Sequence, residues 1–425
     1  MTAFSLEPEQ VAWCERLRTL AAERLRPLAD KGDPGHVNRP LVAELGALGL
    51  LPRLFTSGAL DLCLMRESLA YACTEAETAL ALQGLGAHPV HAHGTEAQRA
   101  RWIPRVSDGT AVAAFALSEP TAGSDAAALT LRAEPTRTRD ATDGTGAAGV
   151  PGASVPAGGG PRRGVRPAGA GTAAALVAEG DGRSAWRLTG EKCWISNAPE
   201  ADFYTVFART TPGAGARGVT AFLVPADRPG LGGTPLDMLS PHPIGALAFD
   251  AVPVTADDVL GEPDRGFRVA MGTLNLFRPS VGAFAVGMAR AALDATLAHT
   301  GARDAFGGKL RDLQTVSHQV AEMALRTEAA RLMVYAAATA YDENAPDVPR
   351  RAAMAKLLAT ETAQYVVDKA VQLHGARALQ RGHLLEHLYR EVRAPRVYEG
   401  ASEVQRDIIA KELYRAQDTT KEAGA

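Results

Sequence analysis

Apolar and polar positions change rhythm twice along this chain. Across QVAWCERLRTLAAERLRPLA, Val11, Leu17, Leu20 and Leu25 fall near three- and four-residue spacings, the signature of an amphipathic helix. Further helices are expected over 41–51 and 61–85, and another in GTEAQRARWIPRV with Thr95 as its N-cap. From about 111 to 260 the pattern shortens to strand-like runs: AVAAFALSE, AWRLTGEKCWISNA, DFYTVFART, VTAFLVPAD and IGALAFDAVPV. Gly, Pro, Asn and Asp separate them, and no helical run intervenes, which predicts a compact antiparallel sheet. The helical period then returns, with Leu313, Val316, Val320, Met323 and Ala324 on one stripe and a second long helix in RRAAMAKLLATETAQYVVDKAVQLHG. The expected fold is α+β and mostly α. It has an N-terminal helical domain (1–112), a central antiparallel β-barrel-like domain (113–262) and a C-terminal four-helix-bundle-like domain (263–425).

Composition interrupts this pattern once. Residues 140–175 are dominated by Gly, Ala and Pro without apolar period, and such a segment buries too little to offset its ordering entropy. They read as a dispensable insertion between strands, with a basic PRRGVR kernel. The 425-residue chain is 46% apolar and 22% charged with a formal net charge of -3, so no global field attracts nucleic acid or an anionic membrane. No stretch reads as a membrane span, and MTAFSLEPEQ lacks the form of a signal peptide. The cysteines Cys14, Cys63, Cys73 and Cys193 show no CxxC spacing, so neither a metal site nor a disulfide framework is expected, and the cytoplasm is the default compartment.

The chemistry must come from loops, because P-loop, HExxH, GxSxG and strand–GxGxxG–helix signatures are all missing. FALSEPTAGSD (115–125) ends a strand in a Pro- and Gly-fixed turn whose N–H groups and hydroxyls can face a polar ring edge. GEKCWISNA (190–198) offers the flat face of Trp194 beside Ser196. Near the end, RVYEGASEVQR holds Glu399 just ahead of a basic helical run. On those residues alone it is either a base or a carboxylate placed where a helix dipole favours negative charge.

These loops, in this order, resemble the acyl-CoA dehydrogenase family. The likeness extends through GFRVAMGTLNLFRP (266–279), ARDAFGGKLRDLQTVSHQVAEM (302–323) and QLHGA (372–376), and so covers nearly the whole chain. It implies FAD bound between the β domain and the C-terminal helices. Phe115, Leu117 and Ser118 would meet the isoalloxazine, and Trp194, Ile195 and Ser196 would cover its other side. Arg303, Phe306 and Gln314 would hold the ADP portion from a neighbouring subunit, with Gln372, Leu373, Gly375 and Ala376 meeting it across the interface. Ala401 and Glu403 complete the cofactor set, while Ser124, Asn275, Arg278 and Gly400 would contact the thioester substrate.

The resemblance also gives Glu399 a role, removal of the α-proton of an acyl thioester while the β-hydrogen leaves as hydride. Some members place the base just before the arginine of the CoA-contacting helix, and here that residue is Phe277. It implies an acyl-CoA or acyl-carrier-protein thioester, an electron-transfer flavoprotein or similar acceptor, and a homo-oligomer, a tetramer before a dimer. Departures are Ala376 and Ala378 for glycines, Ala401 for a hydroxyl residue, Asn275 for a frequent Asp, and an early segment lacking P-E-x-x-G-G. Each added Cβ is expected to press on close backbone or cofactor phosphate. Along the expected acyl pocket, Leu80, Leu82 and Leu85 supply apolar surface. Glu75 and Glu77 read as solvated, with Glu77 the one able to approach the tail. A flavin monooxygenase or oxidase of the same fold, and a non-catalytic paralogue, remain as alternatives.

Overall fold

A computed structural model describes residues 6–136 and 185–423, with side chains as far as 418. The expected insertion at 140–175, with its basic kernel, lies outside the described residues.

The first segment is helical: α1 (Pro8–Leu20) running through a π-wound turn into α2 (Arg26–Ala29), then α3 (Arg39–Ala47), α4 (Leu50–Thr56), α5 (Ala59–Ala72), α6 (Thr74–His93) and α7 (Glu96–Ser107). The single helix expected over 41–51 is two, because Gly49 turns the chain at φ +72°. The one expected over 61–85 is also two, broken at Cys73, whose backbone is extended. Thr95 caps α7 as expected. Its hydroxyl accepts from the Gln98 N–H at 3.2 Å while the Gln98 side chain accepts from the Thr95 N–H at 2.7 Å.

The strands are β1 (Ala113–Ala116), β2 (Arg132–Pro135), β3 (Ala185–Ser196), β4 (Phe203–Arg209), β5 (Val219–Pro225), β6 (Leu231–Pro235), β7 (Ile244–Thr255) and β8 (Val259–Leu260). They form one sheet in the order β6-β7-β3-β2-β4-β5-β8, with β1 paired to β4. The five runs read from the sequence became β1, β3, β4, β5 and β7. The three others were missed because they are short or, like LGGTP, exposed and without apolar alternation. The sheet is mixed, since β1 runs parallel to β4 from Ala113↔Phe203 to Ala116↔Val206. Gln83 on α6 docks this edge, donating to Ala111 O at 2.7 Å and accepting from Ala113 N at 2.8 Å.

The last segment holds α8 (Gly266–Ala302), the small hairpin β9 (Asp304–Ala305) and β10 (Gly308–Lys309), α9 (Gln314–Asp342), α10 (Val348–His374), α11 (Leu384–Glu391) and α12 (Ser402–Ala423). By length and composition α8 is apolar enough to cross a membrane, which corrects the sequence reading. Here its apolar surface is covered by α5, α9 and α10. The two helical segments share one core: Leu17, Leu69 and Leu80 belong to the same cluster as Met288, Val334 and Val366. Gly287 allows the α5–α8 approach, since a Cβ there would meet Ala70 Cβ at 2.7 Å as well as the Glu67 carbonyl.

Candidate active site

Between α11 and α12 the chain makes the turn Tyr398-Glu399-Gly400. Glu399 has φ +52° and Gly400 φ +94°. Glycine adopts such a conformation freely, whereas a glutamate does so at a cost of order 1–3 kcal/mol and needs surroundings that enforce it. Three side chains do so here. Arg278 Nε donates to Glu399 O at 3.3 Å, Gln405 Nε2 to Glu399 O at 3.2 Å and to Gly400 O at 2.8 Å, and Lys356 Nζ to Gly400 O at 2.7 Å. A Cβ on Gly400 would strike the Gln405 amide. The turn therefore aims the Glu399 side chain inward.

The inward carboxylate is poorly solvated, and its Oε2 is buried without a hydrogen-bond partner among the described residues. Burial pushes the proton affinity of Glu399 above the ordinary 4.5, and the charges of Arg66, Lys356 and Arg278 pull it part of the way back. The same burial brings Lys356 down to about 8, with Glu399 opposing that fall. Asn275, one turn before Arg278, accepts from Arg278 Nη1 at 3.2 Å. Phe277 is buried against His88, with ring centroids 6.2 Å apart.

A second group of expected residues lies on the sheet. Phe115 packs on Phe207 with centroids 4.9 Å apart, Leu117 and Ile195 are buried, and the Ser118 carbonyl accepts from Cys193 N at 3.0 Å. Ser196 pairs with Ile244 across the β3–β7 ladder, and Ser124 is exposed on its turn. Trp194 stands at φ +57° with 49% of its surface exposed. One ion pair joins the two loops. Lys192 Nζ, fully buried, donates to Leu117 O and to Glu119 Oε1, both at 2.9 Å. Glu119 also accepts from Thr130 N at 2.6 Å and Leu131 N at 2.9 Å. Burial raises the Glu119 proton affinity, but Lys192 and these N–H donors outweigh it and hold it below the usual range. Burial lowers Lys192 to about 8, against the pull of Glu119.

A third group stands apart. Arg303 and Phe306 follow α8, Gln314 opens α9, Gln372 and Leu373 lie in the last turn of α10, and Gly375 and Ala376 follow it. The stacked rings of His299 and His374, 4.2 Å apart, bring the ends of α8 and α10 together. Phe306 is 90% exposed at φ +56°. Ala378, expected to press toward the cofactor, instead lies in the helical core, so its methyl group fills packing space. Ala376 is exposed, Ala401 half-buried, and Glu403 pairs with Arg406 at 3.4 Å on the surface. From Arg278 to Arg303 is 25 residues of α8, about 37 Å of helix at roughly 1.5 Å per residue.

Comparison with known proteins decides the family. Models of the acyl-CoA dehydrogenase N-terminal, middle and C-terminal domains match residues 7–110, 161–252 and 264–414. The chain belongs to the acyl-CoA dehydrogenase family. It is 30% identical over 423 residues to a probable acyl-CoA dehydrogenase of Mycobacterium leprae, covering 97% of each chain. With the short-chain specific mitochondrial acyl-CoA dehydrogenase of Bos taurus it shares 32% over 411 residues, 94% of this chain and 88% of that one. Butyryl-CoA dehydrogenase from Megasphaera elsdenii superposes with a TM-score of 0.80 at 28% identity, covering 97% of this chain and 99% of that one.

Acyl-CoA dehydrogenases depend on FAD, and the residues of this one fit that cofactor. Trp194 offers a half-exposed aromatic surface, the neighbouring loops offer backbone and hydroxyl groups, and among the described residues Glu399 Oε2 has no hydrogen-bond partner. The sequence reading missed Arg66, Glu119, Lys192, Lys356 and Gln405. Glu119 and Lys192 stood inside the quoted loops but read as turn and strand decoration. Lys356 sits mid-helix in AKLLAT, a place where lysine is ordinarily solvated. Removing one partner of the buried Lys192–Glu119 pair leaves the other charge stranded, which costs about 3–5 kcal/mol. Glu119→Gln is therefore expected to lower the thermal midpoint of unfolding and to weaken FAD retention on desalting. An unchanged midpoint would show that the pair does not hold the loops together.

Proposed function

We propose that this enzyme dehydrogenates an acyl thioester between Cα and Cβ, with Glu399 as the base. The observation that carries the reading is the Glu399 carboxylate itself: buried, unpartnered at Oε2, raised in proton affinity and fixed by a backbone turn that three side chains enforce. A base works best when its affinity for protons approaches the operating pH. Burial brings Glu399 toward that range while Arg66, Lys356 and Arg278 keep it ionised enough to accept a proton. With Phe277 in the other position that the family uses, no second base competes. Bound FAD supplies the acceptor for the β-hydride. The chain's own part is to seat the thioester against Arg278, Asn275 and Ser124, hold the α-carbon before Glu399 and exclude water. An electron-transferring flavoprotein or similar protein then takes the reducing equivalents. A monooxygenase reading has no observation in its favour, since the base is retained.

We further propose that each FAD is shared by two subunits. The Glu399 turn and the patch of Arg303, Phe306 and Gln372 stand far apart along α8, and a face bearing an exposed Phe306 suits a partner chain better than water. A homotetramer is the preferred assembly, with a dimer as the smaller form.

Glu399→Gln keeps the shape and removes the proton acceptor. Its flavin is expected to stay oxidised under saturating acyl thioester in anaerobic stopped-flow, with reduction slowed by at least about 10²–10⁴-fold; bleaching at the wild-type rate would refute the base. The base is active only when ionised, so wild-type reduction should rise with pH through a limb above the ordinary carboxylate range. Lys356→Met removes a cation that favours the ionised form, and that limb should move to higher pH. A limb moving the other way would contradict the electrostatics. Light scattering should find the flavin-loaded protein as an oligomer, and a fully loaded monomer would overturn the shared site.

A further inference from the structure

Lys356 is joined on α10 by a second residue that holds the Glu399 turn. Further along the same helix, Glu361 reaches both ends of the loop in which Glu399 sits. Its Oε1 accepts from Ser402 Oγ at 2.6 Å and from Arg396 Nε at 3.0 Å, and its Oε2 meets Arg396 Nη2 at 2.9 Å. Bidentate pairing of this kind fixes the direction of a guanidinium as well as its distance. Arg396 and Ser402 bracket residues 397–401, which include Glu399 and Gly400, both at positive φ. Lys356 Nζ holds Gly400 O between them at 2.7 Å. One helix therefore grips this loop at its entrance, at its strained centre and at its exit. Glu77, read as solvated from the sequence, is by contrast committed to Arg66, with 1% of its side chain exposed.

We infer that Glu361 is a positioning residue for the base: by pinning Arg396 and Ser402 to α10, it keeps the loop between them in the strained form that aims Glu399 inward. A glutamate at φ +52° persists only where its surroundings over-determine it. Gly400 beside it is free to rotate, so the constraint has to come from either side of the pair. The bonds from Arg278, Gln405 and Lys356 all fall on the carbonyls of Glu399 and Gly400, whereas Glu361 acts on the side chains that flank the loop. Burial raises the proton affinity of Glu361, but the bonds from Ser402 and Arg396 outweigh it and hold the carboxyl below the usual range. Glu361 thus stays ionised where Glu399 accepts a proton. The side chains of Arg396 and Glu361 are 32% and 31% exposed. Removing the carboxylate therefore leaves Arg396 open to water instead of stranded in the core, and the variant is expected to fold. The inference rests on the dehydrogenase reading for what Glu399 does, and on these contacts for what holds it.

The test uses the full-length, FAD-loaded enzyme and the variants Glu361→Ala, Glu361→Gln, Ser402→Ala and Glu361→Ala with Ser402→Ala. Flavin reduction is followed anaerobically with butanoyl-, octanoyl- and hexadecanoyl-CoA, and amide hydrogen exchange is read by mass spectrometry. A misplacement of about 1 Å can cost about 10²-fold in rate. Glu361→Ala is therefore expected to lower the limiting rate of reduction by at least about tenfold, with the half-saturating thioester concentration within about twofold of wild type. Glu361→Gln keeps an acceptor for Ser402 and should recover part of the rate. Ser402→Ala should slow reduction alone but add little to Glu361→Ala, because the contact it removes has already gone. Exchange should quicken in the peptide covering 397–401 and stay unchanged in α9. An unchanged limiting rate in Glu361→Ala, a loss confined to half-saturation, full additivity with Ser402→Ala, or exchange that rises equally in α9 would overturn the inference. If no thioester reduces the wild-type flavin, the dehydrogenase reading fails, and the exchange pattern alone decides whether Glu361 holds the loop.

Discussion

The turn ahead of α12 depends on one strained glutamate. At φ +52° Glu399 cannot be left to its own backbone preference, and the cations and amide that grip its carbonyl and that of Gly400 come from three different helices: α8, α10 and α12. Because α8 and α10 also build the shared core, the packing that places Arg278 and Lys356 at the turn is the packing that holds the fold. Packing thus sustains a conformation that local sequence would reject. Two of the groups that fix the backbone, Lys356 and Arg278, also join Arg66 in lowering the proton affinity of the buried carboxylate.

Buried ion pairs act as joints throughout the chain. Lys192–Glu119 locks the two loops that flank the exposed Trp194 face. Arg66–Glu77 ties α5 to α6 and, through Ser280, to α8. Glu391 at the end of α11 accepts from Ser240 and meets His242 Nε2 at 2.7 Å, which fastens the helical end to the loop before β7. Despite its burial, the charge of His242 brings Glu391 down to about 2, and Glu391 in turn holds His242 above its ordinary value. Pairs of this kind add little net stability over apolar packing, but each demands one relative placement of its elements. In this chain those placements set the two β-domain loops against each other, α5 and α6 against α8, and α11 against the loop before β7.

Local periodicity by itself determined the succession of helices, strands and helices, the strands β1, β3, β4, β5 and β7, and the Thr95 cap. These features are written in short windows, where spacing and turn chemistry are governed by neighbouring residues. Breaks such as Gly49 and Cys73 were passed over because the apolar rhythm continues across them. The parallel placement of β1 beside β4 was invisible, since it depends on where α6 docks the sheet through Gln83. Only the tertiary structure decided that the two helical segments share one core, that Ala378 fills it, and that α8 is covered by protein. It also decided that Lys192, Lys356, Arg66 and Glu77 are buried. A charged residue carries no mark in sequence of whether water or a partner will meet it; that depends on which distant element packs over it, and the desolvation and pairing that result are what turn ordinary side chains into a site.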